Sequence, residues 1–118
     1  MGEAGFRRED DPARLAALVA GQEAVLIYFS GPGCGVCAAL EPKVAELLRQ
    51  AFPRIEAVAV DCAAAPAAAS RFQVFSVPTI LAFFGGREWV RKGRAVGLGE
   101  LGDALARPYG LLFGDAPR

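Results

Sequence analysis

Ala24-Val25-Leu26-Ile27-Tyr28-Phe29-Ser30-Gly31-Pro32-Gly33-Cys34-Gly35-Val36-Cys37 passes from an unbroken apolar run, through a Ser-Gly-Pro-Gly break, to two cysteines in C-x-x-C spacing. The run from Ala24 to Phe29 reads as a strand buried on both faces, as in the middle of an α/β sheet. After Cys34 the period changes. Cys37, Leu40, Val44, Leu47 and Leu48 fall on one helical stripe. Pro42 lies inside that helix and should kink it, because it removes one amide hydrogen bond. The pair therefore sits at a strand-to-helix junction, with Cys34 at the helix start.

That placement suits thiol chemistry. A cysteine reacts as the thiolate, and a helix N-terminus favours the thiolate through its unpaired amides and the positive end of the macrodipole. Cys37 lies on the adjacent turn, where its sulfur can reach that of Cys34. Cys34 is expected to be the exposed attacking thiol, and Cys37, deeper in the helix, to resolve the mixed disulfide. Gly33 and Gly35 flank the nucleophile and leave room for an incoming chain. The competing reading is half of a zinc site. Completing it needs further ligands, and only Cys62 and carboxylates remain.

Working outward, Asp10-Asp11-Pro12 gives N-cap chemistry to a helix of roughly nine residues carrying Leu15, Leu18 and Val19 and closed by Gly21. Ile55 to Val60 forms a second strand. An alanine-rich helix is expected from Pro66 to Phe72. Val77-Pro78-Thr79 opens a third strand through Phe84, Gly85-Gly86 makes a hairpin turn, and Glu88 to Arg91 returns. A last amphipathic helix covers Gly99 to Ala106 with Leu98, Leu101 and Leu105 inward. Pro108 stops it, leaving an apolar tail containing Tyr109, Leu111, Leu112 and Phe113. The order α, β, α, β, α, β, β, α describes one α/β domain over residues 1–118, with its core at 13–107 and the tail at 108–118.

Proline is poorly tolerated within a central strand. At the head of one, a cis Val77–Pro78 bond would expose the Val77 backbone beside Cys34, ready to pair with an extended substrate peptide. The remaining residues of note read as structural. Cys62 is a small, partly buried core residue, with glutathionylation or an intermolecular disulfide as its alternative. Arg87, Arg91, Lys92 and Arg94 form a solvated basic face, and Trp89 packs on the sheet. Glu41, one turn after Cys37, reads as an exposed helix carboxylate, with service to Cys37 as its alternative.

Composition closes off other classes. The chain has 118 residues, 53% of them hydrophobic, with 13 basic and 13 acidic side chains and no histidine. That is enough for a core without disulfide staples, and a zero net charge does not favour nucleic acid or an anionic membrane. The absence of histidine removes imidazole bases and Cys–His dyads. The charged start, Met1 to Asp11, shows no apolar leader, and the longest apolar run, Val77 to Phe84, is too short to span a bilayer. The chain thus reads as cytoplasmic. Its tail is expected to dock on its own domain, leaving a monomer.

Tyr28 to Cys37, Pro42, Asp61, Val77-Pro78-Thr79 and Gly85-Gly86, taken as an ordered set over about Ala13 to Arg107, resemble the thioredoxin family. The resemblance implies a thioredoxin fold, a central mixed sheet of about four strands flanked by helices, with Cys34 as nucleophile and a cis-proline at Pro78. It implies a thiol–disulfide oxidoreductase acting on protein disulfides, with electrons from a reductase or a small thiol, serving electron transport and redox homeostasis. No cofactor or metal is implied. A thioredoxin-fold adaptor or redox sensor with little turnover is the alternative. Several positions depart from the family pattern. Gly33 replaces the tryptophan before the first cysteine, and Gly35-Val36 replaces Gly-Pro. Tyr28 stands in place of the buried aspartate that helps deprotonate the resolving cysteine, and Ala57 in place of its partner lysine.

Loss of the active-site proline frees the helix start and, in this family, tends to make the disulfide more oxidising. The Cys34–Cys37 couple is therefore expected to have a reduction potential above the thioredoxin value of about −270 mV. A glutathione or dithiothreitol titration checks this, and a potential at or below that value refutes it.

Overall fold

The structure is a computed structural model that describes residues 6–114. Its elements run β1 (Arg7–Arg8), α1 (Pro12–Gly21), β2 (Ala24–Ser30), α2 (Gly35–Ala51), β3 (Glu56–Asp61), α3 (Pro66–Arg71), β4 (Thr79–Phe84), β5 (Arg87–Lys92) and α4 (Leu98–Phe113). The strands form one mixed sheet in the order β1-β3-β2-β4-β5. β2 is central, parallel to β3 and antiparallel to β4, so that Ile27 lies beside Val58 on one side and Leu81 on the other. All seven of its residues are buried.

Alternation along β2 divides the core into two layers. Leu26 and Tyr28 face α2 and α4, where they meet Val44, Leu48, Leu101, Leu105 and Tyr109. Val25, Ile27 and Phe29 face α1 and α3, where they meet Leu15, Val19, Ala68 and Ala69. The parity matters for chemistry, because it puts Tyr28 on the side of the helix that carries the cysteines.

Local signals explain most boundaries. The Asp11 carboxylate accepts the Ala13 N–H at 3.0 Å, and Pro12 fills the first helical turn. Gly85 and Gly86 have φ of 63° and 82°, the left-handed pair that a two-residue hairpin requires. β5 carries an irregularity: Val90 lies beside Ala82 but Glu88 beside Phe83, so Trp89 has no partner on β4. This bulge brings Glu88 and Arg91, three apart, onto one face, where they pair at 2.8 Å. It also leaves Trp89 45% exposed over a shallow groove with Phe84, Pro108 and Leu112.

Two expectations need correction. The sheet has a fifth strand, β1, which pairs in parallel with β3 at Arg7–Val58 and Arg8–Ala59. Two exposed arginines carry no alternating pattern, so nothing local marks them as a strand; the backbone pairing is tertiary. Second, α4 does not stop before Pro108 but continues through it to Phe113. An interior proline costs about 3 kcal/mol. Beyond it, however, Tyr109 is buried, with its ring 5.1 Å from Phe52 and 4.8 Å from Phe113. The Tyr109 hydroxyl accepts the Arg54 N–H at 3.3 Å, and the Arg54 guanidinium lies 4.2 Å over the Phe113 ring. Burying these rings at about 1.5–3 kcal/mol each offsets the proline. Tyr109 and Phe113 thus dock as expected, while Leu111 is 72% exposed. Residues 115–118 of the expected tail lie outside the described residues.

Tyr109→Ala should therefore lower stability by about 3–5 kcal/mol, whereas Leu111→Ala should change it by less than about 0.5 kcal/mol. Urea denaturation measures both. Equal effects would contradict the packing of this segment.

Candidate active site

The apolar β2 ends at Ser30, and Gly31 to Gly33 turn the chain, with Gly33 at a φ of 73°. Cys34 then becomes the N-cap of α2. Its N–H donates to the Gly31 carbonyl at 3.4 Å, closing the turn. The Cys37 N–H, one of the free amides of the first helical turn, points at Cys34 Sγ at 3.1 Å. The two sulfurs are joined as a disulfide, with the Cα atoms 5.2 Å apart. Cys34 is half-buried at the mouth of the pair, and Cys37 is only 2% exposed.

Both cysteines line an open cleft of about 410 Å3 together with Arg8, Ser30, Gly31 and Glu41. The Val77–Pro78 bond is cis, as expected. Pro78 is buried and Val77 half-buried. A Cβ built on Gly31 would meet Val77 Cγ2 at 3.9 Å, so Val77 stands against the turn that delivers Cys34. Gly33 and Gly35 lie on the surface, and a Cβ on either would meet nothing within 4 Å. The loop before Pro78 is tied down from β5. Arg91 donates to the carbonyls of Phe72 at 2.9 Å and Gln73 at 3.0 Å while holding Glu88. Arg91 thus ties β5 to this loop while staying exposed at the surface, and Lys92 pairs with Glu100 of α4.

Residues 10–106 match the family model described as thioredoxin. The chain belongs to the thioredoxin family. It is 39% identical over 89 residues to a thioredoxin-like protein, YdfQ, of Bacillus subtilis, covering 75% of this chain and 79% of that one. It is 37% identical over 87 residues to a thioredoxin of Mycolicibacterium smegmatis, covering 69% and 78% respectively. In fold it matches a mutant thioredoxin from Halobacterium salinarum, with a TM-score of 0.73 at 24% identity over 87% of this chain and 89% of that chain. The protein is accordingly a thioredoxin-like thiol–disulfide oxidoreductase, and the reading as a mere adaptor is not favoured.

Within this frame the site differs from the sequence reading at Glu41, which is not an exposed helix carboxylate. It is 8% exposed. One carboxylate oxygen accepts the Phe6 N–H at 2.9 Å, and the other lies 3.6 Å from the Arg8 guanidinium. The signal is present in the spacing, since Cys37 and Glu41 are four apart on one helical face. What hides it is β1, which covers that face and has no sequence signature. Phe75 also escapes the sequence reading: it is 88% exposed, three residues before Pro78. Cys62 fits its structural reading, half-buried against the α1–α3 layer, with its thiol pushed up by burial and then by Asp61.

Tyr28 occupies the place of the family's aspartate, and its role here is structural. The hydroxyl donates to the Cys37 carbonyl at 2.7 Å from a fully buried position. Burial, and then the Glu41 carboxylate, push its pKa up to about 12. The phenol is therefore neutral in any working range and supplies no proton acceptor.

A tyrosine pKa raised above its unfolded value of about 10 keeps its proton longer in the folded state. Its stability is intact below about pH 10 and is lost as pH rises towards about 12, by an amount on the order of 2–3 kcal/mol. Tyr28→Phe should lose about 1 kcal/mol at pH 7 from the missing hydrogen bond. It should also lose less stability than the parent between pH 10 and 12. Urea midpoints at pH 7 and pH 11 check this, and parallel pH curves for the two proteins would refute it.

Proposed function

We propose that Cys34 attacks disulfides of protein substrates and that Cys37 then releases them, with Val77-Pro78 and the glycines at 33 and 35 forming the surface that receives the substrate chain. The observation that carries this reading is the Cys37 N–H directed at Cys34 Sγ at the start of α2, with Cys37 itself buried. An amide donor on a sulfur stabilises its thiolate and makes it both the better leaving group and the accessible nucleophile. The buried partner can then be reached only by the sulfur beside it. Cys34 thiolate displaces one sulfur of the substrate disulfide, which leaves as a thiol. Cys37 thiolate next attacks Cys34 Sγ, closing the internal disulfide and releasing the second substrate sulfur. The substrate gains the two electrons that the pair loses.

The recipient surface follows from the edge groups at Val77. An extended peptide there can pair with main-chain atoms, as in strand addition, and the flanking glycines put no side chain in its way. Electrons would come from a thioredoxin reductase or from a small thiol, and the protein would serve cellular electron transport and redox homeostasis. Among the described residues no helix is long and apolar enough to cross a membrane, which is compatible with the cytoplasm as its compartment. We take residues 1–118 as one domain acting as a monomer.

The expected result is that the protein accelerates the reduction of insulin disulfides by dithiothreitol, that Cys34→Ser does not, and that Cys37→Ser holds its substrate as a mixed disulfide through Cys34. A Cys37→Ser variant that traps nothing, or a Cys34→Ser variant as active as the parent, would refute the assignment.

A further inference from the structure

We propose that Glu41 takes the proton from the Cys37 thiol as Cys37 resolves the mixed disulfide, and that strand β1 holds Glu41 in place for that task. The proposal rests on the reading of Cys37 as the resolving thiol. A buried thiol cannot attack until it loses its proton, and the group that receives it must be near and basic at working pH. Tyr28 is excluded by its raised pKa. The chain has no histidine.

Glu41 meets the requirement by position. It lies one helical turn after Cys37 on the same buried face of α2 and lines the same cleft as both cysteines. Pro42 follows it, so α2 lacks the Ala38 carbonyl's usual donor at this point. A carboxylate removed from water needs partners, and this one has two, both from the N-terminal segment: the Phe6 N–H and the Arg8 guanidinium. Arg8 is itself fixed by the β1–β3 pairing. The charged or titratable groups facing Glu41 are Arg8 from β1, Tyr28 from β2, and Cys34 and Cys37 on its own helix. Asp10 and Asp61 line the adjoining cleft with Arg8. The open cleft reaches solvent, so the proton passes either directly or across one water.

The step balances. In the mixed disulfide, the Cys37 thiol gives its proton to the Glu41 carboxylate and its sulfur attacks Cys34 Sγ. The Cys34–substrate S–S bond breaks as the Cys34–Cys37 bond forms. The departing substrate thiolate receives the proton of the Glu41 carboxylic acid, directly or relayed through solvent, which returns Glu41 to the carboxylate.

The test separates proton transfer from simple charge proximity by sign. If Glu41 were only a negative charge near Cys37, Glu41→Gln would favour the thiolate and speed resolution. If Glu41 accepts the proton, the same variant slows it. Reduced protein carrying Cys62→Ser is mixed with 5,5′-dithiobis(2-nitrobenzoate) in a stopped-flow instrument. One nitrothiobenzoate is released by Cys34 and the second by Cys37. In Glu41→Gln, whose amide oxygen still accepts the Phe6 N–H, the first release keeps its rate and the second slows about tenfold or more at pH 7. The deficit narrows towards pH 9 as hydroxide takes over the deprotonation.

An unchanged or faster second release overturns the proposal. Glu41→Asp is the second arm should Glu41→Gln fail to fold: with the carboxylate drawn back by one methylene, its second release slows by several-fold, and an unchanged rate likewise overturns the proposal. A second release that survives Cys37→Ser would overturn the underlying reading of Cys37 instead, and the proposal with it.

Discussion

Strand β2 is the element on which the rest of the molecule depends, because it is buried along all seven residues and every layer packs against it. A strand covered on both faces and paired on both edges has no freedom to shift register without turning core side chains over. Its end is therefore a fixed point in space. Ser30 closes the strand, Gly31 to Gly33 turn the chain, and Cys34 caps α2 with the Cys37 amide on its sulfur. The redox pair is thus mounted at the end of the fully buried central strand.

The same strand sets the electrostatics behind the pair. Residue 28 points towards α2, directly beneath the cysteines, so its chemistry is felt at the site whatever it is. A tyrosine here spends its one polar group on the Cys37 carbonyl. A carboxylate appears instead on the helix, at Glu41, and is kept buried by an N-terminal segment that supplies the Phe6 amide and the Arg8 guanidinium. The charge has not vanished from behind the site; it enters from a different element. A buried carboxylate without those partners would be strongly disfavoured, which ties the N-terminal segment to the active site rather than leaving it a surface trimming.

The core elements were legible in the chain because each carries a dense local signal. The apolar run of β2, the helical stripe of α2 and the double glycine of the hairpin are each complete within a short stretch of chain. The turn chemistry of Asp11-Pro12 is equally local. Where the reading failed, the deciding contact was distant. β1 consists of Arg7 and Arg8, whose strand character comes entirely from pairing with Val58 and Ala59. Pro108 is a helix stop by every local rule, yet α4 passes through it because Tyr109 and Phe113 find Phe52 and Arg54 beyond. Trp89 is left 45% exposed where a bulge in β5 opposes no residue of β4 to it.

By itself the sequence determined that this chain forms an α/β domain with a C-x-x-C pair at a strand-to-helix junction and no imidazole to assist. Those features follow from period, turn residues and spacing, which act over distances the chain controls locally. The tertiary structure alone decided whether Glu41 belongs to the solvent or to the active site. Its own neighbours in sequence leave it on a helix surface. Only the return of Phe6 and Arg8 across that surface, held by the edge of the sheet, buries it and turns an ordinary helix carboxylate into one that lines the same cleft as the cysteines.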